Sequence, residues 1–154
     1  MKKRNIFLGI VCFLMIFMLT GCKDKIALSA EEFKSKVESN GYTAHDVTDQ
    51  YSEYEYIKTG IVALSSSNYQ IEFYVLDNES NAQRMFDDNK SKFESSQGSV
   101  SSHSEASLKN YSTYTLNSNG KYMHLCRVDN TLLYVDVDET YKDQVKDLVN
   151  KLGY

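Results

Sequence analysis

The 154-residue chain contains no proline and no tryptophan, and it has fewer basic than acidic residues. Without proline, its turns have to be made by glycine, asparagine and serine, which suit the backbone conformations of tight turns. The 17 lysines and arginines stand against 21 acidic residues, which gives a formal net charge of −4. Nucleic-acid binding requires basic patches that neutralise phosphates, so this composition argues against a nucleic-acid partner.

Sequence motifs of the common catalytic and cofactor sites are also missing. The chain has no Gly-x-Ser-x-Gly nucleophile turn, no His-Glu-x-x-His zinc motif, no calcium-binding loop and no glycine-rich phosphate loop. His124 and Cys126 are two residues apart and would share a strand face, so a Cys/His site is geometrically allowed. The alternative is two half-buried side chains on one strand. We therefore predict no catalytic residues, no metal and no cofactor, and we keep a small enzyme using His124 as an alternative.

Cysteine is scarce, and its three copies have different predicted fates. Cys12 lies inside an N-terminal apolar run, Cys22 follows that run, and Cys126 stands alone in the rest of the chain. A lone cysteine cannot form an intrachain disulfide, so the core has to hold without a covalent staple. We predict that Cys126 is a small buried hydrophobe rather than a reactive thiol.

The N-terminal residues have the pattern of a secretory signal. Lys2, Lys3 and Arg4 form a basic start, and residues 6–19 are an uninterrupted run of apolar or small residues. A signal peptide has this order, with an apolar region of about 7–15 residues before a small-residue cleavage site. The run is short for a permanent span, which needs about 20 residues to cross the hydrocarbon core.

The four residues Leu19-Thr20-Gly21-Cys22 resemble the bacterial lipobox, in which a leucine and two small residues precede a cysteine. The resemblance implies that a signal peptidase cuts between Gly21 and Cys22, and that the Cys22 sulfur carries a lipid. It also implies a protein anchored by acyl chains, such as palmitate, to the cell membrane, on the extracytoplasmic face of the cell envelope. The alternative is an uncleaved N-terminal anchor in which Cys22 has no role.

Cleavage at that point would divide the chain into a signal peptide at 1–21, a lipidated tether at 22–28 and a single domain at 29–154. Removing the three basic residues at positions 2–4 from the 17 leaves 14 against 21 acidic residues, a formal charge of −7 for the mature chain. The mature length is 154 less 21, or 133 residues, which is enough for one domain with a substantial core.

Three segments have the spacing of amphipathic helices. Ser29 and Glu32 fit a capping box, in which the two side chains satisfy free amide groups at the start of a helix. A second helix is predicted at 79–94, where Asn89 interrupts an otherwise apolar stripe, and a third is predicted after Thr140.

Alternating apolar and polar residues predict the strands, which lie at 57–65, 69–76, 111–116, 122–128 and 132–137. Part of 42–56 is expected to be an irregular strand or loop. The serine-rich stretch 95–107 is either a mobile loop or a poor edge strand, because it offers few apolar groups to offset the entropy of ordering.

These elements predict an α+β fold with a single antiparallel sheet of about five to six strands and three helices. Two ββα units, at 57–94 and 121–152, would share that sheet, with the helices packed on one face and the other face open. Asn119-Gly120 suits a hairpin turn because both residues tolerate positive φ. A two-residue loop at Asp129-Asn130 would place Cys126 opposite Leu133, on a face predicted to be core.

Tyrosine is abundant, with twelve copies, all of them beyond the signal peptide. Tyr51, Tyr54 and Tyr56 lie among acidic residues, and Tyr74 falls on the polar side of its strand. Exposed tyrosines offer rigid amphipathic surface to peptides, proteins or sugars. The alternative is that tyrosine fills strand positions, which it favours.

The sequence therefore predicts a membrane-anchored lipoprotein that acts as a non-enzymatic binding or interaction module, with those four tyrosines as the candidate surface. The expected partners are the membrane, through the lipid anchor, and a protein, peptide or cell-wall ligand. The alternative function, suggested by the charge of −7, is an inhibitor or immunity lipoprotein that captures a basic toxin, peptide or wall hydrolase.

Overall fold

The computed structural model describes residues 24–67 and 69–154. Three α-helices lie in this part of the chain: α1 at Ala30–Ser39, α2 at Glu79–Ser95 and α3 at Lys142–Leu152. Seven strands accompany them: β1 Thr43–Asp46, β2 Ile57–Leu64, β3 Gln70–Leu76, β4 Ser101–Ser107, β5 Tyr111–Ser118, β6 Lys121–Val128 and β7 Thr131–Asp138.

All seven strands form one antiparallel sheet in the order β1-β2-β3-β7-β6-β5-β4. The predicted α+β class with three helices is confirmed. The sheet has seven strands rather than five to six, because the ambiguous segment 42–56 contributes β1 and the serine-rich segment 95–107 contributes β4 as the two edges. The strands of the two predicted ββα units meet where β3 pairs with β7.

The turns and caps follow the local sequence. Ser29 and Glu32 form the predicted capping box at the start of α1. Asn119 and Gly120 both have positive φ, at 53° and 71°, and close the hairpin between β5 and β6. Asp129, with φ 48°, closes the next hairpin. The predicted pairing of Cys126 with Leu133 is confirmed, so the register of the central strands could be read from the turns.

Helices cover both faces of the sheet. On one face α1 and α3 bury a core with the sheet that includes Phe33, Val37, Phe73, Cys126, Val135, Val145 and Leu148. On the other face α2 buries a second core that includes Ala82, Phe86, Phe93, Tyr74, Tyr114, Met123 and Leu125. The prediction that the helices pack on one face and leave the other open is wrong. The reason is that the central strands are apolar on both sides: in β6, Tyr122 and Cys126 face α3, whereas Met123 and Leu125 face α2.

Candidate functional site

The candidate site begins at an irregularity in β2. Its register with β3 shifts between Ile57 and Thr59, so Lys58 is an extra residue in the β2 strand. A bulge of this kind bends the strand and turns the residues before it toward the opposite face. Ile57 therefore packs in the core under α2, whereas Ile61 packs in the core under α1 and α3. The chain leading into β2 is thereby directed across the α2 side of the sheet.

A 3-10 turn at Thr48–Tyr51 fastens this chain to β2. The Val47 amide donates to the Gly60 carbonyl at 2.8 Å, and the Gly60 amide donates to Thr48 Oγ1 at 3.1 Å. A Cβ atom at Gly60 would lie only 3.1 Å from Cε2 of Tyr51. The Tyr51 ring therefore rests in space that only a glycine in the strand leaves free.

Tyr74, from β3, meets Tyr51 edge to face. Their ring centroids lie 5.4 Å apart with an interplanar angle of 84°, and their hydroxyl oxygens are 2.8 Å apart. Tyr74 also donates a hydrogen bond to the Glu72 carboxylate. Burial, followed by the hydrogen bond to Glu72, raises the pKa of the Tyr74 hydroxyl, which therefore stays protonated at neutral pH.

The exposed position predicted for Tyr74 is wrong, since its side chain is only 4% exposed. The side of β3 that alternation marked as polar faces α2, and the aromatic ring fills part of that core. Only the hydroxyl end of Tyr74 reaches the site, where it orients Tyr51.

Tyr54 and Tyr56 complete the aromatic wall. Their ring centroids are 5.9 Å apart, and the Arg84 guanidinium of α2 lies 4.9 Å from the Tyr56 centroid, a cation–π distance. The Asp77 amide donates to the Tyr56 carbonyl at 2.9 Å, which ties this loop to the start of α2. Tyr54 is 48% exposed and stands at the rim.

The four tyrosines converge on one depression of about 280 Å³, which we call the tyrosine pocket. It is lined by Tyr51, Tyr54, Tyr56, Ile57, Tyr74, Arg84, Met85, Asp88, Asn89 and Lys92. The five α2 residues recur at spacings of three and four, so they share one side of the helix. The structure therefore joins a loop, a strand and a helix at residues that are far apart in sequence.

The sequence reasoning found the tyrosines but missed the α2 side of the pocket. A signal was present, because Asn89 interrupts the apolar stripe of α2, and its side chain donates to the Met85 carbonyl at 2.8 Å. Arg84 and Lys92 place two positive charges at the pocket, against the single negative charge of Asp88. The Glu72 carboxylate, bonded to the Tyr74 hydroxyl, adds a second negative charge beside the pocket, so the charges around it balance.

His124 and Cys126 do not form an activated pair. Burial raises the pKa of the Cys126 thiol to about 11 and lowers the pKa of His124 to about 4. Both side chains are therefore neutral at pH 7, whereas a nucleophilic cysteine needs a thiolate. His124 Nδ1 is hydrogen-bonded to Thr115 Oγ1 at 2.8 Å, and the predicted burial of Cys126 is confirmed.

A second depression of about 250 Å³ lies where α1 ends and α3 packs nearby. Its wall is formed mainly by serines, amides and charged side chains, together with Tyr42 and Tyr69, whose hydroxyls bond to each other. Binding sites for organic ligands are mostly apolar and aromatic with a few polar groups. The tyrosine pocket fits that description better.

Gly21 and Cys22, the predicted cleavage and lipidation residues, lie outside the described residues. Within 24–67 and 69–154, no group of three or more His, Cys, Asp or Glu side chains is placed to hold a metal ion. No helix in that same part of the chain combines the length and apolar character needed to span a membrane.

Comparison with known proteins bears on the fold. No family model matches the chain, and no curated protein matches it. Among solved structures, a GTP binding regulator from Thermotoga maritima is similar, with a TM-score of 0.50 and 22% identity, covering 82% of this chain and 85% of that one. At this identity the likeness extends to the fold alone, because one fold supports many unrelated functions.

Proposed function

We propose that this chain is an exported lipoprotein, cut before Cys22 and held by lipid on the extracytoplasmic face of the membrane, whose domain is a non-enzymatic binding module. The basic start, the short apolar run and the sequence Leu19-Thr20-Gly21-Cys22 support the export and the anchor. The tyrosine pocket supports the binding role and is its proposed site.

The observation that carries the binding role is the convergence of four tyrosines and Arg84 on one pocket. Tyr51 is held in place by the Gly60 backbone and by the Tyr74 hydroxyl, so its ring is ordered before any ligand arrives. A preorganised aromatic wall loses little conformational entropy on binding. Ring faces, phenolic hydroxyls and a guanidinium together suit a sugar ring or a peptide side chain.

The pocket volume limits the ligand. At about 280 Å³ it lies just below the range of roughly 300–1,000 Å³ typical of sites that enclose a small molecule. We therefore expect the pocket to hold one unit of a longer ligand, such as one sugar of a wall fragment or one side chain of a peptide.

The anchor is tested by replacing Cys22 with serine in the full-length chain. The variant lacks the sulfur that would carry the lipid, so it should remain at precursor mass or leave the membrane fraction. Normal cleavage with full membrane retention would contradict the anchor. Mass spectrometry of the wild-type protein from membranes should show acyl chains on Cys22.

The binding role is tested by thermal unfolding of residues 23–154 with wall fragments, simple sugars, basic peptides and GTP as separate probes. GTP is included because the structurally similar protein is named a GTP binding regulator. A ligand at a hundredfold excess over its Kd adds about 2.7 kcal/mol to the unfolding free energy and raises the midpoint. The Tyr54→Ala variant should lose that shift, and Leu64→Ala, a truncation of another exposed apolar side chain, should keep it.

Salt separates the two candidate functions. An inhibitor that captures a basic protein through its charge of −7 should bind much more weakly at high ionic strength, because surface charges are then screened. Recognition by the tyrosine pocket should be far less sensitive to salt. A shift that survives the Tyr54→Ala change but disappears in salt would favour the inhibitor, and no shift with any probe would contradict the pocket as a site for these ligands.

A further inference from the structure

The first described residues are fastened to the domain instead of leading away from it. The Lys25 carbonyl accepts a hydrogen bond from Asn110 Nδ2 at 2.6 Å, and Lys25 Nζ donates to the Gly153 carbonyl at 3.2 Å. Lys25 Nζ also lies 5.1 Å from the Tyr111 ring centroid. Leu28 is buried, and its amide donates to the Tyr154 hydroxyl at 3.2 Å. Within the predicted tether at 22–28, the chain is thus docked from Lys25 onward.

Only three residue steps separate Cys22 from Lys25. A fully extended chain advances at most about 3.6 Å per residue, so this stretch spans no more than about 11 Å. A lipid on Cys22 would therefore hold the end of the domain that carries Lys25 close to the headgroups. The opposite end of the domain could not reach the headgroups on so short a connection.

That same end carries exposed apolar side chains. Ile26 follows Lys25 and is 85% exposed, and Leu108, in the turn between β4 and β5, is 41% exposed. The bond between Asn110 and Lys25 brings that turn beside the N-terminal segment. Asp24, Glu79, Asp129, Lys25 and Lys109 surround Ile26, a nearly balanced set of charges. This end lacks the surplus of basic residues that would bind it to lipid by charge alone, so its contact would be apolar.

We propose that the anchored domain stands end-on against the lipid bilayer, with Ile26 in the headgroup layer and the β4–β5 turn beside it. The inference rests on the proposed lipid anchor at Cys22 and adds an orientation that the anchor alone does not specify. An acidic domain resists lying flat on anionic lipid, and the three acidic and two basic residues around Ile26 leave this end close to neutral.

The orientation determines where the tyrosine pocket opens. The α2 helix begins at Glu79, beside Ile26, and runs away from the membrane, since Gln83 contacts Ser112 near the β4–β5 turn and Lys90 contacts Glu105 farther along β4. At 1.5 Å per residue, Arg84 and Lys92 lie about 8 and 20 Å along the helix from Glu79. The α2 wall of the pocket therefore rises from the membrane surface, with Tyr56, bonded to Asp77, at its membrane-side end, so the pocket faces a ligand alongside the bilayer.

The test measures membrane depth at three positions, two of which are equally exposed in the domain. Val100 is 85% exposed, like Ile26, but it precedes β4 at the opposite end from Leu108. The seven-residue strand between them spans about 23 Å at 3.3 Å per residue. The full-length chain carrying Ile26→Cys, Leu108→Cys or Val100→Cys is isolated with its lipid. Each variant is labelled with a fluorophore and reconstituted into phosphatidylcholine vesicles that contain nitroxide-labelled lipid. Cys126 is fully buried and stays unlabelled in the folded protein.

We expect severalfold stronger nitroxide quenching and a blue-shifted emission at positions 26 and 108 compared with position 100. Equal quenching at positions 26 and 100, in protein that floats with the vesicles, would overturn the orientation and leave the anchor intact. Protein that carries no lipid and does not float with vesicles would overturn the anchor and the orientation together.

Discussion

Replacing Gly60 with alanine should report whether the Tyr51 ring is held as tightly as the structure indicates. The new Cβ would lie 3.1 and 3.2 Å from two ring carbons of Tyr51 and 3.4 Å from a methyl group of Val47. Carbon atoms in good contact lie about 3.5–4.0 Å apart, so the ring would have to move. The backbone at Gly60 needs no positive φ, so the clash is the main obstacle.

The magnitude follows from two opposing effects. Forcing an extra methyl group into a packed site costs about 1–3 kcal/mol. Glycine inside a strand is itself about 0.5–1 kcal/mol less favourable than alanine, because it loses more conformational freedom on folding. Gly60→Ala should therefore lower the unfolding free energy by about 0.5–2 kcal/mol. In a Tyr51→Ala background the clash with the ring is absent and only the 3.4 Å contact with Val47 remains, so the same change should raise the unfolding free energy by up to about 1 kcal/mol.

Urea unfolding of the wild type, both single variants and the double variant, followed by circular dichroism at pH 7, gives the coupling free energy between the two positions. We expect about 1–3 kcal/mol, with the effect of Gly60→Ala changing sign between the two backgrounds. Effects that add within about 0.5 kcal/mol would show that the ring is free to move aside. That result would remove the argument that the pocket is preorganised. Wild-type and variant m-values should agree, because the surface exposed on unfolding is unchanged.

Three further predictions test the cores and a helix cap. Burial lowers the pKa of His124 to about 4, whereas in the unfolded chain it stays near 6.5, so the unfolded state takes up the proton first as the pH falls. The unfolding free energy should be undiminished above pH 6.5 and should lose about 2–3 kcal/mol by pH 4.5 in urea titrations, a loss that His124→Gln should lack. Iodoacetamide should alkylate Cys126 of residues 23–154 only as fast as the domain unfolds, and reaction at the rate of a free thiol in native buffer would contradict its burial. Ser29→Ala removes the oxygen that accepts a hydrogen bond from the Glu32 amide, so it should lower the unfolding free energy by about 1 kcal/mol in thermal or urea unfolding. The control Ser35→Ala, at an exposed position of the same helix, should cause no comparable loss.

Elements whose cause is local could be predicted from the sequence. A capping box needs only Ser29 and Glu32, and a type I′ hairpin needs only two residues that accept positive φ, as at Asn119-Gly120. Because the register of a hairpin follows from its turn, the pairing of Cys126 with Leu133, and hence the burial of the thiol, could be predicted as well.

Elements whose cause is tertiary could not be predicted in the same way. The two edge strands β1 and β4 show little alternation of apolar and polar residues, and most of their side chains are exposed. They are ordered by pairing with β2 and β5, which a local pattern does not reveal. The prediction that all helices pack on one face of the sheet was wrong for a related reason. Tyr74 and Tyr114 look half-polar in sequence, yet both are buried under α2, so a strand face that contains tyrosine can be core.

The tyrosine pocket shows the same division. Its tyrosines could be identified from the composition, but their convergence in one pocket depends on the extra residue Lys58 in β2. A bulge interrupts the alternation of a strand, so a periodic pattern cannot reveal it. One residue in the sequence nevertheless indicates the bulge. A glycine inside a strand often signals a bulge or the close approach of another group, and Gly60 lies two residues from the bulge with the Tyr51 ring against its backbone. An exposed Tyr51 would have no reason to require glycine at position 60, whereas a ring seated on the strand requires it. Gly60 and the tyrosines before β2 should therefore be interpreted together. A glycine that leaves space for an aromatic ring indicates a preorganised pocket, whereas tyrosines that only fill strand positions need no such glycine.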